Sequence, residues 1–229
     1  MWNGKKKTIT LSYDDGVLQD QRLVRLFDKY GLRATFNINS GMLYNECIWH
    51  TCGVEVVRMT ADQLLEHLGH HEIAAHGLTH SDLRKDDYNQ TERQLIGDRV
   101  NLERIFGRKV YGLAYPGGAV TERAITVCQS FGIRYGRKTG SSRSFDIPND
   151  LLAFEPTIHH SEPDFLEVTQ RFLQSEEDRP QMLYVWGHSY EFDIHSNWNM
   201  MEEFCKMVSF REDVFYGTNH EVLSPFYKE

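Results

Sequence analysis

Apolar positions along the chain fall into two alternating kinds of run. Short β-rich stretches occupy residues 8–13, 34–38, 72–75, 110–115, 133–135, 152–158, 182–186 and 214–216, each bounded by the polar and glycine-containing segments that delimit strands. Between them, apolar residues recur at i, i+3, i+4, i+7: Leu23, Leu26, Phe27 and Tyr30; Ala124, Val127, Cys128 and Phe131; Met201, Phe204, Cys205 and Val208. That spacing predicts amphipathic helices. Strand and helix in alternation predict βα units around a parallel sheet of seven or eight strands. If the sheet closes, the fold is an α/β barrel with the helical stripes facing inward. Thr60 and Gln63 form a candidate capping box, and Gly31, Gly107 and Gly132 stand where helices end. No repeat or linker interrupts the pattern, and residues 141–150 read as a loop, so one domain over residues 1–229 is expected.

The polar clusters follow the strands. Asp14, Asp15 and Gly16 close the first, His76 and His80 follow the third, Pro116-Gly117-Gly118 the fourth, and Gly187-His188 the seventh. In a parallel barrel those ends share one face, where active sites gather. Successive strand residues point to opposite faces, so Asp14 and Asp15 share a site only if the backbone turns, which Gly16 permits. His76 and His80, four apart, lie on one face of a helical turn and can grip one ion. A zinc protease would carry glutamate after the first histidine; here Gly77 stands, so the proton acceptor comes from elsewhere, and Asp14 supplies it.

Asp15, His76 and His80 leave open positions on a zinc ion, where a bound water has its pKa lowered toward ~7. The same donor set fits the facial triad of non-haem iron oxygenases, whose sites usually sit in double-sheet β folds rather than in alternating strands and helices. His188, at the end of an apolar strand and beside a glycine, is a candidate general acid, because histidine titrates near neutrality. The segment 116–118 is either an oxyanion hole or a plain turn. Tyr115, Trp186 and Tyr190 are candidates for stacking on a sugar ring, or for simple packing.

Composition narrows the substrate. The 229 residues carry a formal charge of −8 with a pI near 5.8, which argues against nucleic acid and favours neutral or cationic partners. Cys47, Cys52, Cys128 and Cys205 lack zinc-ribbon spacing, and two lie on apolar helical faces, so reduced thiols are expected. Three lysines near the start precede no apolar segment of signal-peptide length, and no run approaches the ~20 apolar residues of a membrane span. A cytoplasmic location and small soluble substrates are the expectation.

Ser12-Tyr13-Asp14-Asp15-Gly16, His76-Gly77-Leu78-Thr79-His80, Ala114-Tyr115-Pro116-Gly117-Gly118 and Trp186-Gly187-His188 together resemble the polysaccharide deacetylases, the NodB homology domain of carbohydrate esterase family four. The resemblance runs from about residue 7 to 188. It implies a distorted, often seven-stranded (β/α) barrel, with Asp14 as catalytic base and Asp15, His76 and His80 on a divalent metal, commonly zinc. It further implies an oxyanion contact from the Gly117 N–H and His188 as general acid. The implied reaction removes an N-acetyl or O-acetyl group from a carbohydrate by hydrolysis. Two departures stand out. Ala114 occupies the place of an arginine that orients the catalytic aspartate, and the aspartate-tryptophan motif that steadies the acid histidine has no match. Asp146, Asp150, Glu191 and Asp193 are candidates for the second role. These gaps mark a divergent branch and admit two alternatives: a metal- or carbohydrate-binding protein without catalysis, and a hydrolase of non-sugar C–N bonds.

Overall fold

The computed structural model describes residues 1–43, 47–176 and 178–227. From the amino end, β1 (Lys7–Asp14), α1 (Asp20–Lys29) and β2 (Ala34–Ile38) lead to a hairpin of β3 (Ile48–Thr51) and β4 (Val54–Val57). There follow α2 (Ala61–Leu68), β5 (Glu72–Ala75), α3 (Tyr88–Glu92) and α4 (Asp98–Phe106), the last two joined by a π-helical turn. Next come β6 (Gly112–Ala114), α5 (Glu122–Ser130), β7 (Tyr135–Arg137), β8 (Ile158–His159) and α6 (Phe165–Gln174). The chain continues through β9 (Gln181–Gly187), α7 (Glu191–Ile194), α8 (Trp198–Val208), β10 (Val214–Tyr216) and α9 (Asn219–Leu223).

The main sheet has the order β7-β6-β5-β2-β1-β9-β8, with β10 on the first half of β1, and its strand pairs are parallel. β9 runs along β1 from Lys7 to Tyr13, while β10 and β2 share the other edge. β1 is buried from Thr8 onward and β9 along its whole length, as expected where helices cover a parallel sheet. The covering stripes are the expected ones, including Leu23 and Phe27 of α1, Val127 and Cys128 of α5, and Met201, Phe204 and Cys205 of α8. Phe154 bridges to Arg137 of β7, and the Thr157 N–H donates to Tyr184 O of β9 at 3.0 Å. Residues 154–159 therefore span the gap between the two ends and curl the sheet into a distorted (β/α) barrel. The Thr60–Gln63 capping box forms, and Gly31, Gly107 and Gly132 take positive φ just past their helices.

Three expectations need correction. The strand at 152–158 shrinks to Ile158–His159, because Pro156 has no N–H to give a ladder. The strand at 133–135 forms two residues later, at Tyr135–Arg137, because the Gly132 turn carries the chain further before it pairs with β6. The β3–β4 hairpin has no counterpart among the expected strands. It stands outside the main sheet on a two-residue turn, Cys52 (φ 48°) and Gly53 (φ 80°), the primed geometry usually announced by Asn-Gly or Asp-Gly. Among the described residues no helix is long and apolar enough to cross a membrane, and the four cysteines are free, two of them buried.

Candidate active site

β1 ends at Asp14, and the chain turns through Asp15 (φ 83°) and Gly16 (φ 66°). Left-handed backbone at an aspartate is uncommon, and here it leaves both carboxylates buried at one place. Arg137 Nη2 donates to both Asp14 oxygens, at 2.6 Å to Oδ2, and Asn37 Nδ2 donates to Oδ1 at 2.8 Å. Burial alone would raise the Asp14 pKa. The Arg137 guanidinium and the His76 and His188 imidazoles outweigh it and bring the group down to about 2.

His76 and His80 follow β5, but not on a helical turn as their spacing suggested. Gly77 (φ 73°) and His80 (φ 54°) make a tight bend, closed by the His80 N–H on Gly77 O at 3.3 Å, with the rings 4.9 Å apart and nearly perpendicular. A glycine is required at 77, since a Cβ there would meet the Pro116 ring at 2.8 Å. His76 Nδ1 lies 2.8 Å from Ala114 O. The carbonyl only accepts, so Nδ1 carries the proton and Nε2 the lone pair. That Nε2 is buried without a hydrogen-bond partner, and burial holds the His76 pKa down at about 4. Donor atoms of Asp15, His76 and His80 lie within 4.8 Å of one another. Arg58 Nη2 binds Asp15 Oδ1 at 2.9 Å, leaving the other carboxylate oxygen for an ion.

Two further histidine–acid groups among the described residues are as compact: Asp28 with His70 and His71, and Glu191 with His159 and His160. Tautomers distinguish them. His71 Nδ1 accepts the Ala34 N–H at 3.3 Å, and His159 Nδ1 accepts the Ser161 N–H at 3.1 Å. In the neutral ring each Nε2 then bears a proton, aimed at Asp28 (3.6 Å) and Glu191 (3.2 Å) respectively. The His76 Nε2 lone pair is free while the His71 and His159 Nδ1 lone pairs are engaged. His160 also has no hydrogen-bond partner on either ring nitrogen, but of the three groups Asp15, His76 and His80 are the one that lines a cleft together with Asp14 and His188, which favours them for a metal.

His188 follows β9. Its Nδ1 lies 3.2 Å from Glu191 Oε1, while Glu191 Oε2 lies 3.2 Å from both His159 Nε2 and His160 Nε2. Burial would lower the His188 pKa, but Glu191, Asp14 and Asp15 raise it to about 9. Its Nε2 is 3.9 Å from Asp14 Oδ2, the same distance as His76 Nε2. Of the four acids considered beside His188, Glu191 takes the position. Asp146 pairs with Arg179, Asp150 accepts the Leu152 N–H, and Asp193 accepts the Trp198 indole N–H.

Arg137 is the residue that motif spacing missed. It sits beside Ala114 in the parallel register of β6 and β7, so the guanidinium on Asp14 comes from one strand over. Extending the expected strand past Tyr135 would have exposed it.

Asp14, Asp15, His76, His80, Tyr115, Gly117, Trp186, His188 and Tyr190 all line one cleft of about 610 Å³, joined by Thr139 and by Ile48, Trp49 and Arg58 of the hairpin region. Gly117 (φ 56°) lies in a tight turn capped by the Gly118 N–H on Tyr115 O. Tyr115 is buried with its hydroxyl on Leu152 O, and Trp186 donates to Gly140 O with the Arg137 guanidinium over its ring at 4.6 Å. Tyr190 is the most open of the three aromatics.

The model of the polysaccharide deacetylase family matches residues 2–136, and the chain belongs to that family. Among solved structures, a putative polysaccharide deacetylase from Mycobacterium smegmatis is similar at 16% identity and TM-score 0.67, over 98% of this chain and 93% of that one. The Streptococcus pyogenes deacetylase PplD in complex with acetate is similar at 18% identity and TM-score 0.58, over 66% of this chain and 64% of that one. A Bacillus anthracis pseudoenzyme of the CE4 family, BA3943, is similar at 16% identity and TM-score 0.59, over 96% of this chain and 66% of that one. The chain thus spans less than two thirds of the streptococcal and Bacillus chains, and at these identities the likeness speaks to fold. No curated sequence matches the chain.

Proposed function

We propose that the protein is a metal-dependent hydrolase that removes N-acetyl, or O-acetyl, groups from a carbohydrate. The observation that carries this reading is the meeting of Asp15, His76 and His80, with a buried unpartnered His76 Nε2, beside Asp14 and His188. One acidic and two imidazole donors suit zinc, which when bound supplies a Lewis acid for the acetyl carbonyl and an acidified water. The chain supplies the rest. Asp14, held by Arg137 and Asn37, stays unprotonated across the working pH range and takes the water proton. The Gly117 N–H is assigned to the oxyanion. His188, whose charged form Glu191 favours, gives its proton to the departing amine.

The non-catalytic alternative was motivated by Ala114 and the absent fourth motif. Arg137 on Asp14 and Glu191 on His188 fill both roles from other positions, which supports an active enzyme. Metal analysis and acetate release from acetylated glycans test the reading together. We expect Asp15→Ala and His80→Ala to lose the metal, and the zinc-loaded protein to release acetate. Protein that binds zinc and sugar yet releases none would favour the binding alternative instead.

A further inference from the structure

The cleft is walled unequally. On one side the wall comes from β3–β4, which has no part in the main sheet, and from the turn after β9. The two meet: the Trp49 ring stands edge-on to Tyr190, centroids 5.9 Å apart at 86°, which is direct aromatic contact. Arg58 backs this wall, its guanidinium over the Trp49 ring at 5.1 Å while it bonds Asp15 Oδ1 at 2.9 Å and Asn39 Oδ1 at 2.7 Å. The hairpin is also stitched to the loop after β1, through the Leu18 N–H on Val57 O (2.9 Å) and the Met59 N–H on Gly16 O (2.8 Å). The wall is therefore tied to the loop that carries Asp15. Tyr190 in turn packs 5.2 Å from the His188 ring, so the wall stands directly beside the assigned acid.

Trp49 and Tyr190 both line the cleft and touch each other, so a sugar chain running toward this side of the site meets their contact. The cleft volume, about 610 Å³, lies within the ~300–1,000 Å³ of small-molecule sites. Resting on the deacetylase reading above, we propose that the Trp49–Tyr190 contact is a blind end, and that the protein takes the terminal acetylated sugar of a short chain rather than a unit inside a polymer.

The test uses the zinc-loaded protein and N-acetylglucosamine oligomers from dimer to hexamer, with acetate counted per chain and the deacetylated unit located by tandem mass spectrometry. The expected result is one acetate per chain, always from the same end unit, with kcat/KM flat from trimer to hexamer. Trp49→Ala and Tyr190→Ala, made separately so that a folding defect in one does not decide the matter, should each raise interior relative to terminal deacetylation about tenfold. Trp49→Phe should keep the end preference. Interior units released as readily as ends by the unaltered protein would overturn the blind end and leave the deacetylase reading standing. No acetate from oligomers, acetylated xylan or peptidoglycan fragments overturns both.

Discussion

Asp14 and Asp15 are adjacent in sequence but held by different cations, Arg137 on the first and Arg58 on the second, which fits the different roles proposed for them. Asp14→Asn should therefore keep zinc and lose about 10²–10⁴-fold in kcat, the usual contribution of a positioned base; an unchanged rate with metal bound would reject Asp14 as the base. Arg137→Ala strands a buried carboxylate and should cost about 3–5 kcal/mol of stability, read as a lower urea midpoint with an unchanged slope. Glu191 lies 3.2 Å from His188 Nδ1 and, with Asp14 and Asp15, favours the charged imidazole. The folded His188 pKa, about 9, lies above the ordinary ~6.5, so its contribution to stability is full below pH ~6.5 and is lost as pH rises through 9. Glu191→Gln should move the His188 titration, followed by NMR in metal-free protein, downward toward the ordinary value, and the alkaline limb of the rate profile with it. A titration that stays near 9 would contradict that role. The residues proposed as ligands and acid were legible in the sequence because each stands within a short motif that contains a glycine. Arg137 was not, because its partnership with Asp14 spans 123 positions and depends on strand register.

At the scale of elements, burial alone did not decide legibility: β7 is buried throughout yet forms two residues late, while the partly buried β10 forms where expected. β1, β2, β5, β9 and β10 form close to where apolar runs predict them. The rim elements were harder to read, since β3 alternates exposed and half-exposed residues, β4 buries only Val56, and a cysteine stands in the turn between them. Ahead of Ile158, the 152–157 segment makes only isolated bonds to both neighbours, which periodicity cannot register. Element packing also explains why β9 ends in glycine. A Cβ at Gly187 would come 2.0 Å from the His160 ring, which is stacked between Tyr13 and Phe192. Gly187→Ala should cost about 1–3 kcal/mol by overpacking, measured by urea unfolding, and should disturb the Glu191 cluster that holds His188. An unchanged midpoint would show that His160 moves freely and carries no such constraint.

At the scale of the molecule, the barrel brings strand ends from β1, β5, β6, β7 and β9 to one mouth, so residues as far apart as Asp14 and His188 share a site. An ion that binds there and not to the unfolded chain should stabilise the fold, by ~2.7 kcal/mol at a hundred times its Kd. The most direct measurement is anomalous diffraction at the zinc edge from crystals grown with zinc. The predicted result is a single strong peak within about 2.0–2.2 Å of an Asp15 oxygen, His76 Nε2 and a His80 ring nitrogen. A cleft without a peak, or zinc bound instead at Asp28/His70/His71 or Glu191/His159/His160, would contradict it.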